Sequence, residues 1–395
     1  MIFVGMSMGI RIFTDCVELA GTACKPFHGT KCYVSTGAVD VDHIVETDTE
    51  TVNYEEKPSR ANLEVLPGDV LFAKMQGTKK TLLIDSELSN YIYSTGFCAV
   101  RAKDGVLTDR CLYHLLTSEL FLAQKDKHCS GATQKAITNA GLDRIVIQVP
   151  SIANQKLITN QLDAIIGIIA KRQQQLTALD DLIKARFVEM FGDPVNNEKG
   201  WPQEALEDAC KTIVDCPHST PSYTSDNTGF MCIRTSIVKK NRIVWEDIEY
   251  IPEEEYKQRI QRKRPEKGDV IYTREGAILG IAAVIDRDCN VALGQRSMLL
   301  SPNRAFCTPE FLSVAMNFDS FLDNALKGMS GSASPHINVG DIKAFKMILP
   351  PIRQQEDFST FVARIDKSKD AIKKSLAETQ TLFDSLMQKY FGGVS

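Results

Sequence analysis

The chain repeats itself at an offset of 200 residues. Gly68-Asp69-Val70 returns as Gly268-Asp269-Val270, and Ser130-Gly131 with Ile137 returns as Ser330-Gly331 with Ile337. Pro150, Ile152 and Gln155 return as Pro350, Ile352 and Gln355, and Phe191-Gly192 returns as Phe391-Gly392. The shift is constant from the first of these pairs to the last. A period of this length is far too long for a solenoid unit, so it means two similar modules in one chain. Between the landmarks most residues differ. Two related modules with diverged faces suit two variants of one task, such as reading two different targets.

The remaining organisation follows from hydrophobic periodicity. In 1–149, short β-branched or aromatic runs bounded by Gly, Pro or Asp predict strands at 32–35, 69–73, 96–101 and 144–149. Leu112, Leu115, Leu116 and Leu120 share one face of a predicted helix over 109–122, with Asp109 as N-cap. The second copy, 195–349, predicts strands at 231–234, 269–273 and 298–300, a helix over 309–326 and a last strand over 343–349. His28-Gly29-Thr30 pairs with His218-Ser219-Thr220 at a shorter offset, which places an insertion or deletion in the N-terminal third of each module. Residues 1–6 are apolar but lack a basic lead and a cleavage site, so they predict a first strand or a loose end rather than a signal peptide.

The segments 150–194 and 350–395 are different in kind. The first carries Ile158, Leu162, Ile165, Ile169, Leu176, Leu179, Ile183 and Met190 in steps of three and four, with skips over Arg172 and Arg186. The second carries Phe358, Val362, Ile365, Ile372, Leu376, Phe383, Leu386 and Tyr390 in the same frame, interrupted by Lys369 and Thr379. Each predicts about 40 residues of helix, roughly 60 Å long, ending at Gly192 and Gly392. An apolar seam of this kind cannot stand alone in water. The two helices are expected to pair as an antiparallel coiled coil with one module at each end, about a pseudo-twofold axis. The alternative is that each helix packs on its own module. The fold class expected is therefore α+β: two β-rich domains in tandem, joined by two long helices.

Composition narrows the function. There is no phosphate-binding G-x-x-x-x-G-K-[ST] loop, no G-x-G fingerprint at a strand-to-helix turn, and no Asn/Asp-Pro-Pro-aromatic segment of the kind that holds a flipped base. Glu255-Tyr256-Lys257 resembles the tail of a nuclease motif but sits in a charged stretch without a partner aspartate, and a solvated helix face explains it better. The 6 histidines lack metal-ligand spacing, and the 11 cysteines form no CxxC, so reduced thiols in a cytoplasm are expected, with no metal. The apolar run 162–170 is too short to span a bilayer. A net charge of −4 neither advertises nor excludes nucleic-acid binding, which depends on local patches.

The duplicated landmarks resemble the specificity subunit of type I restriction-modification systems. In that family a Gly-Asp-Val/Ile-Leu turn and strand, a Ser-Gly followed by Ile, and a strand running into Pro and a Gln-containing helix start recur in this order. Arg186-Phe187-Val188-Glu189-Met190-Phe191-Gly192-Asp193-Pro194 is similar to its central spacer. The resemblance covers nearly the whole chain. It departs in that the first module opens without a tryptophan-led strand: Trp201 has no partner in the first copy. What it implies is a non-catalytic reader of double-stranded DNA. Each target-recognition domain (1–149 and 195–349) would read half of a split site. The spacer helices (150–194 and 350–395) would set the gap and dock two methyltransferase subunits, which would carry S-adenosylmethionine. Motor-nuclease restriction subunits would complete the assembly. The rival reading is a coiled-coil adaptor whose modules bind proteins.

A DNA reader needs cations and backbone N–H groups for phosphates, and Arg, Asn, Gln, Ser or Thr for base edges. Three clusters qualify. The first is Lys74, Gln76, Lys79 and Lys80, with Arg274 and Gly276 as counterparts. The second is Ser130, Thr133 and Gln134, with Ser330, Ser332, Ser334 and His336 as counterparts. The third is Tyr33, Ser35 and Thr36, with Arg234, Thr235 and Ser236, joined by Gln295 and Arg296. The basic run Arg259 to Arg264 fits phosphate contact and an exposed helix face equally.

Overall fold

The computed structural model describes residues 8–276, 278–327 and 336–393. The chain divides into two compact units, Met1–Gln173 with Lys374–Ser395, and Gln174–Lys373. Each long helix is thus shared between units. The central helix spans Ile152–Phe191 and the C-terminal helix Ile352–Phe391.

In the first unit the main sheet has four antiparallel strands, in spatial order Val17–Ala20, Phe97–Ala102, Val70–Ala73, Thr81–Leu83. A second sheet orders Glu50–Val52, Lys31–Val34, Ile92–Ser94, Ala61–Leu63, with one parallel pair, Lys31–Val34 beside Ile92–Ser94. Met8–Ile12 pairs with Val146–Pro150 and brings the ends of the module together. The second unit repeats this plan: Cys210–Asp215, Ser297–Pro302, Val270–Thr273, Ala282–Val284 in one sheet, and Glu249–Tyr250, Met231–Ile233, Val291–Leu293 in the other. Gln203–Ala205 pairs with Lys346–Ile348. The short helices Phe13–Cys16 and Leu206–Ala209 correspond at less than 200 residues, whereas Phe97–Ala102 and Ser297–Pro302 correspond at the full shift. Chain length therefore changes between these elements.

Two predicted helices are broken. The first is Asp109–Thr117 followed by Glu119–Lys127, because Ser118 is extended and its hydroxyl accepts from Phe121 N, ending one helix and capping the next. The N-cap is Thr108, not Asp109: the Thr108 hydroxyl accepts from Cys111 N at 3.2 Å. The second breaks into Pro309–Met316 and Asp319–Leu326 at an extended Phe318. The predicted last strand is shorter at its start, since Val339–Lys343 is helical and the strand begins at Lys346.

The landmark residues are structural fasteners. Gly68 and Gly268 have φ of 88° and 90°, a left-handed turn open to glycine at little cost. The following carboxylates close that turn: Asp69 accepts from Leu66 N and Asp269 from Glu266 N, both at 2.9 Å. Gln155 is fully buried. Its oxygen accepts from Thr108 N at 2.9 Å, and its amide donates to Val106 O and Pro150 O. Gln355 repeats the set with Thr308 N, Phe306 O and Pro350 O. One side chain per copy thereby ties the first turn of a long helix to the loop before the module's helix pair.

The long helices pair antiparallel as a coiled coil. In the first unit Ile158 and Leu162 join Met387, Tyr390 and Phe391 in one apolar core, and Tyr390 Oη donates to Gln161 Oε1 at 2.9 Å. In the second unit Ile183 joins Phe358 and Val362, Phe187 packs on Phe358, and Lys369 bonds Asp180 at 2.5 Å. Ile158, Leu162, Ile165, Ile183 and Val362 are buried. Ile169, Leu176, Leu179, Ile365, Ile372, Leu376 and Phe383 are half-buried, as expected where a seam has only one partner helix to cover it. Phe187 and Phe191, outside the predicted seam, pack on Phe311 and Phe358 and anchor the central helix to the second unit's core. That helix stops at Gly192, and Trp201 Nε1 donates to the Phe191 carbonyl at 2.9 Å. At the other stop the positive φ lies at Gly393 rather than Gly392.

Candidate nucleic-acid interface

In the first unit the strand Val70–Ala73 leaves the main sheet into the loop Lys74–Lys80. Lys74 N donates to Gly96 O, Gln76 N to Lys135 O, and Ile137 N to Lys74 O, all between 2.9 and 3.0 Å; Met75 bridges to Ala136. The first and second sequence clusters are thus neighbours. Lys80 Nζ donates to Thr36 O at 2.8 Å and brings the third beside them. Beneath the turn lies Lys125, only 1% exposed, whose ammonium donates to Met75 O at 3.0 Å and Thr78 O at 2.8 Å. Gly77 N and the Gln76 amide donate to Asp126. The loop is therefore braced by hydrogen bonds from within its own module.

Not every predicted residue faces outward. Tyr33 is buried in the small sheet. Lys79 leans on Glu119 at 2.6 Å, in an exposed ion pair. Lys74 donates to Thr95 O, and Ser35 Oγ accepts from Ala38 N. Ser130, Thr133 and Gln134 are exposed.

The second unit brings the same positions together. Arg274 N donates to Arg296 O, Ile337 N to Arg274 O, and Glu275 bridges to His336. Gly294 N donates to Ile233 O, joining the Arg234–Ser236 segment. Arg274 is buried, and its guanidinium grips Asp215 in a two-pronged pair at 2.9 and 3.1 Å. Arg234 pairs with Glu249 at 3.1 Å and lies over the Tyr223 ring. Gln295 donates to His218 O and Thr220 Oγ1. Arg259, which opens the basic run, is buried against Glu255 and Ser219 O, so it is no exposed phosphate contact. Thr235 is half-exposed, while Ser236, Arg296 and His336 are exposed. Ser330, Ser332 and Ser334 lie outside the described residues.

Burial pushes the Cys98 thiol, near Lys74, up to about 11, and the Cys232 thiol up to about 12. Such thiols are inert at neutral pH. All eleven cysteines are free. Among the described residues no group of three or more His, Cys, Asp or Glu side chains could hold a metal, and no helix is long and apolar enough to cross a membrane.

Sequence reading missed Lys125, Asp215 and the fastening role of Gln155 and Gln355. Lys125 had a signal: it falls one turn after Phe121, on the buried face of its helix. Asp215 had none, because its partner lies 59 residues away.

Two copies of one module, each bringing polar loop residues together where a strand leaves its main sheet and each packed on the paired long helices, define a two-module recognition protein. The chain belongs to the type I restriction modification DNA specificity domain family, whose model matches residues 24–178 and 199–380. It is 22% identical to the type I restriction enzyme EcoKI specificity subunit of Escherichia coli K12, over 91% of this chain and 80% of that protein. It is 21% identical to the StySPI specificity subunit of Salmonella potsdam, again over 91% and 80%. Its fold is similar to that of the type I restriction-modification S subunit from M. genitalium, with a TM-score of 0.55, 13% identity and 100% and 99% coverage. It is also similar to a chain solved in a study of complex assembly and conformational transition of the type I R-M system, with a TM-score of 0.56, 21% identity and 97% coverage of both.

Proposed function

We propose that this chain supplies the DNA sequence recognition of a type I restriction-modification complex, with each module reading one half of a bipartite site. The observation that supports it most is convergence. Three sequence-distant polar clusters meet on one rigid loop framework in the first unit, and the same three positions meet in the second, with different side chains. A common frame with divergent contacts is what two different half-sites require. Phosphates would be met by exposed cations such as Lys79 and Lys135, with affinity that falls steeply with salt. Base edges would be met by Thr133 and Gln134 in the first module and by Ser236, Arg296 and His336 in the second.

In this reading the chain catalyses nothing. Methyl transfer and S-adenosylmethionine belong to two methyltransferase subunits docked on the long helices, cleavage to restriction subunits, and the complex works in the cytoplasm. The exposed half of each helix pair offers the docking surface: Leu157, Ile168 and Leu182 are apolar and outward-facing on the central helix. Sequencing the methylated bases of cells that express methyltransferase subunits with and without this chain tests the proposal. The expected result is a split asymmetric motif that appears only with the chain. Methylation that is identical in both strains refutes it and leaves a protein-binding adaptor.

A further inference from the structure

Resting on the reading of the chain as a DNA-recognition subunit, we infer that Arg296 is the guanine-reading side chain of the second module and that the first module has no equivalent contact. A side chain that reads a base edge must have its polar head free. Arg274 is spent on Asp215, Arg259 on Glu255 and Ser219, and Gln295 on His218 and Thr220, while Arg234 pairs with Glu249 through Nε and lies over the Tyr223 ring. Arg296 alone of these is exposed and makes no side-chain hydrogen bond or ion pair among the described residues.

The backbone holds that free guanidinium in place. Arg296 has φ of 65°, a left-handed conformation that an arginine adopts only at some cost. Its carbonyl accepts from Arg274 N at 3.0 Å, and Arg274 is itself fixed by the buried pair with Asp215. The side chain runs over Gly276, where an added methyl group would lie 3.3 Å from Nη1. A planar fork held in one orientation suits the two acceptors, O6 and N7, that guanine offers in the major groove.

Comparison of the two copies separates base reading from phosphate binding. The first unit keeps the frame: Lys74 N donates to Gly96 O just as Arg274 N donates to Arg296 O. At that position it has glycine, and a Cβ there would meet Thr36 Cγ2 at 2.9 Å. Phosphate contact is a need both modules share, whereas a contact present in one and sterically barred in the other discriminates between half-sites.

The test uses the full chain assembled with methyltransferase subunits, selecting from DNA duplexes randomised across both half-sites. Arg296→Gly removes the guanidinium and places glycine where φ is positive, so the protein should fold with a melting temperature within a few degrees of the parent. The expected result is a roughly ten- to hundredfold loss of preference for guanine at one position of one half-site, with the other half-site unchanged. Arg296→Lys, which keeps charge but not the fork, should lose most of that preference while retaining the salt dependence. Selection unchanged at every position, or uniform weakening with a smaller salt slope, overturns the inference in favour of a spectator or a phosphate contact. If the parent assembly selects no sequence at all, the DNA-reading function itself fails.

Discussion

Replacing Gln355 with leucine removes three hydrogen bonds without opening a large cavity. Thr308 N loses its acceptor, and Phe306 O and Pro350 O lose their donors. The bonds to Thr308 and Pro350 are fully enclosed, so water cannot replace them. Each buried polar group left unpaired costs about 1–3 kcal/mol, which gives about 3–5 kcal/mol for Gln355→Leu. In the first unit the glutamine is equally buried, but only its bond to Pro150 is enclosed; those to Thr108 and Val106 lie where water can reach. Gln155→Leu should therefore cost less, about 2–3 kcal/mol. For a unit of this size 1 kcal/mol corresponds to about 2–4 °C, so calorimetry should show the second unit's transition falling by roughly 6–20 °C. Amide exchange should locate the damage at Thr308 N and at the first turn of the C-terminal helix. A Gln355→Leu protein that melts within 2 °C of the parent, or a Gln155→Leu protein that suffers more, would refute the assignment of this glutamine as the fastener between helix and module.

Lys125→Met leaves Met75 O and Thr78 O without their charged donor, so the first module should lose about 2–3 kcal/mol in denaturant titration. DNA selection at the first half-site should blur although Lys125 itself reaches no base. Burial pulls the His114 imidazole below the ordinary histidine range, against the opposing pull of Asp163. The folded state resists a proton that the unfolded state accepts, so stability of the first unit should decline as pH falls below that range. His114→Gln should flatten the decline in a pH series of melting curves. Gly268→Ala forces alanine to φ of 90° and drives its methyl group into the Arg304 side chain, and should cost about 1–3 kcal/mol by chemical denaturation. Asp180→Ala removes only an exposed carboxylate from Lys369, which keeps Asp366 at 3.4 Å, so a loss above about 1 kcal/mol would contradict the structure.

Duplication, strand positions and the two long helices were legible because they rest on local signals: period, β-branched runs and Gly stops. Helix breaks were less so. Ser118 looked like one more helical residue, and only its hydroxyl bond to Phe121 N shows it as the end of one helix and the cap of the next. Gln155 and Gln355 stood out as repeated letters, but nothing in the sequence says that a glutamine amide faces the proline carbonyl 5 residues before it together with an N–H 47 residues away and a carbonyl 49 residues away.

The candidate interface shows the same division. Sequence alone placed the first polar cluster on a loop after the Gly-Asp-Val strand and the second after Ser-Gly, because turn residues and strand ends are local properties; that the three clusters meet was not legible. It offered both Arg274 and Arg296 as candidate contacts. The tertiary structure separated them: Asp215 lies beside Arg274 and takes its charge, while Arg296 is left facing outward. Which polar head is free depends on partners brought in from across the chain, and that is decided by packing rather than by spacing.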